Sequence, residues 1–214
     1  FLQWLNRVGE WRDQDVVVGP HSPIFVGRAV RRLVDQGDLP ADAVTLKVIG
    51  NRYEPRIIDR VLMDEGLASF CKVLPPMPAQ DIPDEVARAD VLFMCLHDRR
   101  GGERDGIISS KTYEYLLTSK PILAALPQGE NWDYLKDQPG VWLCPPDDVD
   151  ALTGALQEIY RNHREGRGTY DRTANLASLS YAARAQEFGE LLETRFFPGK
   201  NESAKSAPPS TGPS

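Results

Sequence analysis

From residue 15 to residue 163 the sequence alternates short apolar, β-branched runs with segments of helical period. That alternation constrains the fold more than any other feature. A strand that gives way to a helix before the next strand cannot close a hairpin; it pairs in parallel through a crossover. The strand-like runs are 15–19, 44–51, 69–74, 90–96, 121–126 and 140–144. The first is Asp15-Val16-Val17-Val18-Gly19, and the run at 90–96 is almost wholly apolar, as suits a strand covered on both faces. The helical segments are 24–36, 56–65, 83–88, 110–118, 132–136, 149–163 and 181–196. In 24–36 the apolar positions 26, 29, 30, 33 and 34 fall on one face, and Gly66 stops the segment before it. The expected fold is α/β: a Rossmann-like, doubly wound parallel sheet of about six strands with helices on both faces. Ligands in such sheets bind outside the carboxyl ends of the strands. The loops to inspect are therefore 19–24, 50–55, 75–82, 97–110 and 127–131.

A chain of 214 residues with 41% apolar and 26% charged residues can bury a core. Its net charge of −6 and pI near 5.2 exclude nucleic-acid binding through bulk charge, though one basic loop can still hold a phosphate. No apolar run reaches the roughly 20 residues of a membrane helix. Phe1-Leu2-Gln3-Trp4 has neither a Met nor the basic and apolar regions of a signal peptide, so the chain is expected to be a fragment of a longer cytoplasmic protein. Cys71, Cys95 and Cys144 are widely spaced in apolar runs, which predicts buried, reduced thiols and no zinc site. Three segments follow: an interdomain piece at 1–14, with Trp4, Leu5 and Trp11 facing a missing domain or packing on the sheet; the α/β domain at 15–197; and a tail at 198–214. The tail carries four Pro, four Ser and two Gly, and such a composition cannot offset the entropy of ordering.

Dinucleotide, P-loop and nucleophile-elbow signatures are absent. His163 falls near a helix end, where an imidazolium suits the dipole; His21 and His97 follow strand ends and face either a ligand or their own loop. The richest segment is 96–116. It leaves a strand, crosses a polar loop containing Arg104 and Gly106, and enters a helix through Ser109 and Ser110. The free N–H groups at a helix start form an anion site, to which Lys111 and the loop arginines add charge. Otherwise the serines are caps and the charges solvated surface. Glu114 lies four residues after Ser110, which fits a capping box poorly. Its carboxylate suits either the helix start or the two hydroxyls of a ribose.

Lys111-Thr112-Tyr113-Glu114-Tyr115-Leu116-Leu117-Thr118-Ser119-Lys120-Pro121-Ile122-Leu123 resembles the K-x-x-E-Y-L-A-x-G-K-P-I-L signature in the donor half of family-four-like (group 1) glycosyltransferases of the two-domain B fold. Gly140-Val141-Trp142-Leu143-Cys144-Pro145-Pro146-Asp147-Asp148 is similar to their G-x-x-V-x-P-x-D strand and turn, Leu46-Lys47-Val48-Ile49-Gly50 to their second donor-domain strand, and Ala89-Asp90-Val91-Leu92 to the strand before the loop. The resemblance spans about 15–195. It implies a C-terminal domain that binds a nucleotide-diphosphate sugar, within an enzyme that transfers the sugar with retention to a glycan, a lipid-linked acceptor or a small metabolite. It assigns Glu114 to the ribose hydroxyls. Gly106, Ser109, Ser110 and Lys111 go to the diphosphate and sugar, and Leu74 to the base. Gly19, His97 and Arg104 are further candidate donor contacts by their places in the loops after the strands.

No metal or other cofactor is implied. The partners implied are the donor and an N-terminal acceptor domain, through which the protein would touch the inner face of a membrane. The final helix matches the one that crosses back to that domain. Without its acceptor wall the chain is expected to be inactive alone. Two departures favour an alternative, a non-catalytic nucleotide- or protein-binding module. Gly106 stands where the family often has a second acid, and Gly19-Pro20-His21-Ser22-Pro23 stands where it has an Arg and a Lys. A sugar-nucleotide epimerase half of the same fold is a third reading.

Overall fold

The computed structural model describes residues 23–49, 55–96, 104, 106–173 and 180–196, with side chains from residue 60 onward in the second of these stretches. The chain divides into two compact units, 1–171 and 172–214. The first holds helix α1 (Ile24–Asp35), strand β1 (Leu46–Ile49), α2 (Pro55–Asp64), β2 (Cys71–Leu74) and a 3-10 turn (Ala79–Asp81). After these come α3 (Ile82–Arg88), β3 (Leu92–Cys95), α4 (Ser110–Leu116), β4 (Ile122–Ala125), α5 (Glu130–Leu135), β5 (Val141–Cys144) and α6 (Val149–Arg164). The second unit holds α7 (Tyr181–Phe196).

All pairing among the described strands is parallel, as the alternation requires. β1 pairs with β2, Leu46 opposite Cys71. β4 runs between β3 and β5, with Ile122 opposite Leu92 and Val141. The sequence predicts about six strands in one sheet; the described residues form five, in one sheet of two and one of three. The strand expected at 15–19 lies outside the described residues, as do the segment 1–14 and the tail at 198–214. The described strands are four residues each, shorter than the predicted runs, and before β2 a turn takes the start of the run. Phe70 donates its N–H to Leu67 in that turn, so β2 starts at Cys71 rather than Ser69. Every residue of β4 is buried, whereas β3 alternates buried and half-buried positions. The doubly covered strand is thus β4.

Helices α1 and α6 pack together over this body. Ile24, Val30 and Leu33 of α1 join a cluster with Leu62, Leu67 and Phe70. Val26 and Ala29, on the adjoining face, join Leu123, Leu152, Ala155 and Ile159. Leu46 and Leu156 border both clusters. Fully burying a Leu or Ile side chain contributes about 1.5–3 kcal/mol, so these two clusters outweigh the exposed ion pairs around them. The ends of α6 follow the sequence: Asp148 Oδ1 accepts the Ala151 N–H at 2.9 Å, and Arg161, His163 and Arg164 occupy the last turn. Gly66 ends the turn after α2 at φ 66°, a left-handed value that costs glycine nothing. Beside it Glu65 takes a 2.9 Å bond from Arg28 Nε, and the guanidinium holds its carboxyl below the usual range.

All three thiols are free; Cys71 and Cys144 are buried and Cys95 is half-buried. Burial pushes each up to about 11, because the thiolate would lose its hydration. About one such thiol in a thousand is ionised at pH 8. Alkylation of the folded protein by iodoacetamide is therefore expected to be negligible at pH 8, to rise between pH 9 and 11, and to become complete at pH 8 in denaturant. The raised values also set a sign for stability. The contribution of the neutral thiols is full below pH 9 and fades as pH rises toward 11.

In the second unit, Ser180 caps α7 by accepting the Ala183 N–H at 3.1 Å. Arg184 pairs with Glu187 at 2.6 Å. Tyr181, Phe188, Leu191 and Phe196 are exposed.

Candidate functional site

The register brings Cys95, Ala125 and Cys144 level at the carboxyl edge of the three-stranded sheet. The loops after β3 and β4 leave from that edge, and both run to short helices, α4 and α5. Helix α4 and its N-cap carry four of the predicted residues. Ser109 stands at its N-cap with extended backbone, yet its side chain makes no capping hydrogen bond. The Thr112 N–H goes to the Ser109 carbonyl at 3.0 Å instead. A purely capping role for Ser109 is therefore not what its side chain plays. Ser110 is the first helical residue and is exposed.

Lys111 and Glu114 are one turn apart and exposed. At this spacing a Lys and a Glu can pair, but no ion pair or hydrogen bond of either with another described residue occurs. Lys111 lies close enough to Cys95 for its ammonium to oppose the rise that burial imposes on the thiol. That sets the cation within electrostatic range of the end of β3. The hydroxyl of Tyr115, the next residue, is held above its usual range by burial first and by the Glu114 charge second. The opposite flank of α4 is fastened down. Thr112 and Leu116 are fully buried, and Tyr113 meets Tyr134 edge to face at 5.5 Å. The result is a clamped helix presenting one ammonium and one carboxylate to solvent.

The other predicted residues divide. Arg104 is engaged elsewhere, in ion pairs with Asp133 and, at 3.7 Å, with Glu130, both on α5. These acids hold the guanidinium over the start of α5 and raise its pKa; Asp133 in turn sits below the usual carboxylate range, chiefly through Arg104. Gly106 is exposed, and a Cβ there would meet nothing within 4 Å, so the position has room for a larger side chain. Leu74 ends β2 half-buried, in the two-stranded sheet, and is not brought against α4 by any described contact. Gly19 and His97 lie outside the described residues, as does His21. Among the described residues no cluster of His, Cys, Asp and Glu has the makings of a metal site.

Sequence reasoning did not single out Asn131, the second residue of α5. It is 3% exposed, and its Oδ1 accepts the Thr112 hydroxyl at 2.6 Å in a fully buried bond. The Asn131 Nδ2 is buried with no acceptor. Its place in the 127–131 loop was the only signal available. An open cavity of about 360 Å³ lies elsewhere, among Arg28, Arg31, Arg32 and Glu65. Its arginines are neutralised by Glu65, Asp35 and Asp150. No helix of the described residues is long and apolar enough to cross a membrane. No family model matches the chain, and no curated protein is significantly similar to it.

Proposed function

We propose that the chain is the donor-binding half of a retaining glycosyltransferase and that α4 holds the nucleotide. One observation carries the reading: Lys111 and Glu114, exposed and unpaired, stand one turn apart on a clamped helix at the strands' carboxyl edge. A free ammonium there suits a diphosphate, and a free carboxylate suits a pair of vicinal hydroxyls. The 111–123 block, with its likeness to the group 1 donor signature, makes the sugar nucleotide the ligand of choice. The protein's part in transfer is to stabilise the departing diphosphate, while an acceptor domain aligns the second substrate. The chain alone is expected to bind the donor and to transfer nothing.

A single sheet of about six strands belongs to the same reading. The strand expected at 15–19 would sit between β1 and β3 and give the order β2-β1-(15–19)-β3-β4-β5. In its favour, α1 feeds both hydrophobic clusters and Leu46 borders both. Placement at the cytoplasmic face of a membrane would come from the acceptor domain.

Calorimetric titration with UDP, GDP and ADP, with UMP as the monophosphate control, tests the reading. One diphosphate is expected to bind at least tenfold tighter than its monophosphate. Glu114→Gln is expected to weaken it about tenfold, since a charge-assisted hydrogen bond contributes about 1.5–3 kcal/mol. No binding by a folded sample, or equal binding by Glu114→Gln, would overturn it. A second reading, a nucleotide-binding module without chemistry, is favoured by the engagement of Arg104 with Asp133 and Glu130. Transfer activity in the full-length protein would separate the two.

A further inference from the structure

The Thr112–Asn131 pair is poorly explained by stability. It makes one buried hydrogen bond and leaves one buried donor, Asn131 Nδ2, without an acceptor. A bond gained and a donor stranded is a worse balance than two apolar side chains of the same shape would give. Turning the amide over does not help: Nδ2 would then serve Thr112, and Oδ1 would be the stranded atom. The packing around the pair would accept an apolar substitute, because Leu116 and Leu135 in the same two helices are completely buried.

What the pair does have is position. Thr112 directly follows Lys111 and precedes Glu114 by two residues, on the buried flank of the helix that exposes both. Asn131 is the second residue of α5, which follows the carboxyl end of the central strand β4, the most deeply buried strand described. The bond therefore ties the helix bearing the two free charges to the helix that follows the most deeply buried strand.

We propose that Asn131 is a positioning residue: through its bond to Thr112 it fixes where Lys111 and Glu114 stand relative to the carboxyl edge of the sheet. The proposal rests on the donor-binding reading for its ligand, but its geometry can be tested apart from that reading. Apart from this bond, α4 is held by apolar contacts: Leu116 is buried, and the edge-to-face Tyr113–Tyr134 pair sits on a half-exposed flank. A directional bond of 2.6 Å fixes both the height and the rotation of α4, which an apolar contact does not.

The double variant Thr112→Val/Asn131→Leu removes donor, acceptor and stranded amide together. Its melting temperature is expected to equal or exceed the parent's, while affinity for the nucleoside diphosphate falls about tenfold. Thr112→Ser, which keeps the hydroxyl, is expected to keep the affinity. A second readout needs no nucleotide. Lys111 influences the Cys95 thiol, so the pH profile of Cys95 alkylation, read by peptide mass spectrometry, reports where Lys111 stands. In the double variant this profile is expected to move to higher pH, toward that of Lys111→Ala. A marked loss of stability would show that the pair is structural and sink the proposal. So would parental affinity together with an unmoved Cys95 profile. If the parent binds no nucleotide, the donor reading fails, and the Cys95 profile alone decides whether Asn131 positions the helix.

Discussion

Gly140→Ala is expected to lower stability by about 3 kcal/mol, which for a chain of this size is roughly 6–12 °C in melting temperature. Two independent costs add. Gly140 has φ 69°, a left-handed conformation that costs an L-residue about 1–2 kcal/mol. A Cβ built there would also run into the ring of Tyr170, at the ring carbons nearest its backbone. The ring is not free to swing aside, because it stands edge-on to Trp142 at 5.7 Å and the Tyr170 N–H is tied to the Ser119 carbonyl at 2.8 Å. Overpacking of this kind costs about 1–3 kcal/mol more. The Gly140 carbonyl accepts the Ile122 N–H at 2.9 Å, so the strain reaches the first rung between β4 and β5. Thermal unfolding followed by far-UV circular dichroism measures the effect. Gly154→Ala serves as the control: it lies inside α6 with open space around it and is expected to be neutral or stabilising. Equal melting temperatures for the Gly140 variant and the parent would mean that Tyr170 does not pack as described.

Lys111→Glu is expected to reduce affinity for a nucleoside diphosphate at least a hundredfold and for the bare nucleoside less than threefold. The reversal removes an attractive cation and places a carboxylate next to Glu114, so two negative charges would meet an anionic ligand. A hundredfold is about 2.7 kcal/mol, well within the reach of two unit charges a few ångströms from a phosphate. The fold is expected to be unchanged, because Lys111 is exposed and ties no other element down. The loss should shrink as salt is raised, since the contact is open to solvent. Equal losses for diphosphate and nucleoside would show that Lys111 does not face phosphate, and would move the anion site away from α4.

The sequence made much of the fold legible where one rule acted alone. Gly66 ends the turn after α2, and of the apolar positions read for α1, 26, 29, 30 and 33 are buried and Val34 packs half-buried. Each depends on a neighbour within a few residues. Strand ends were misjudged because a β-branched run does not show where a turn claims its first or last N–H, as at Phe70. The uninterrupted burial of β4 was assigned to the run at 90–96 because Phe93 and Met94 look as apolar as anything in Ile122-Leu123-Ala124-Ala125. Burial depends on place in the sheet order, and composition does not carry that order. In the candidate site, Lys111 stood out from its place just after the two serines, and Glu114 from the likeness to the donor signature. The engagement of Arg104 by Asp133 and Glu130, and of Thr112 by Asn131, had no such signal. Those partners are 29, 26 and 19 residues away along the chain, in a helix whose own pattern gives no hint of them.

The packing of α1 against α6 has a consequence for synthesis. Helix α1 leaves the ribosome with Val26 and Ala29 uncovered, and the residues that cover them, Leu152, Ala155 and Ile159, follow more than a hundred residues later. At about 5–20 residues per second, the nascent chain carries that uncovered apolar face for several seconds or more. Among the described strands no hairpin forms in the meantime, because the nearest sheet partners are 19 residues apart, Ile122 with Val141. Productive folding of the first unit is thus postponed until its last helix is made. A ribosome stalled ahead of α6 would hold a chain that holdase chaperones bind and proteases cut.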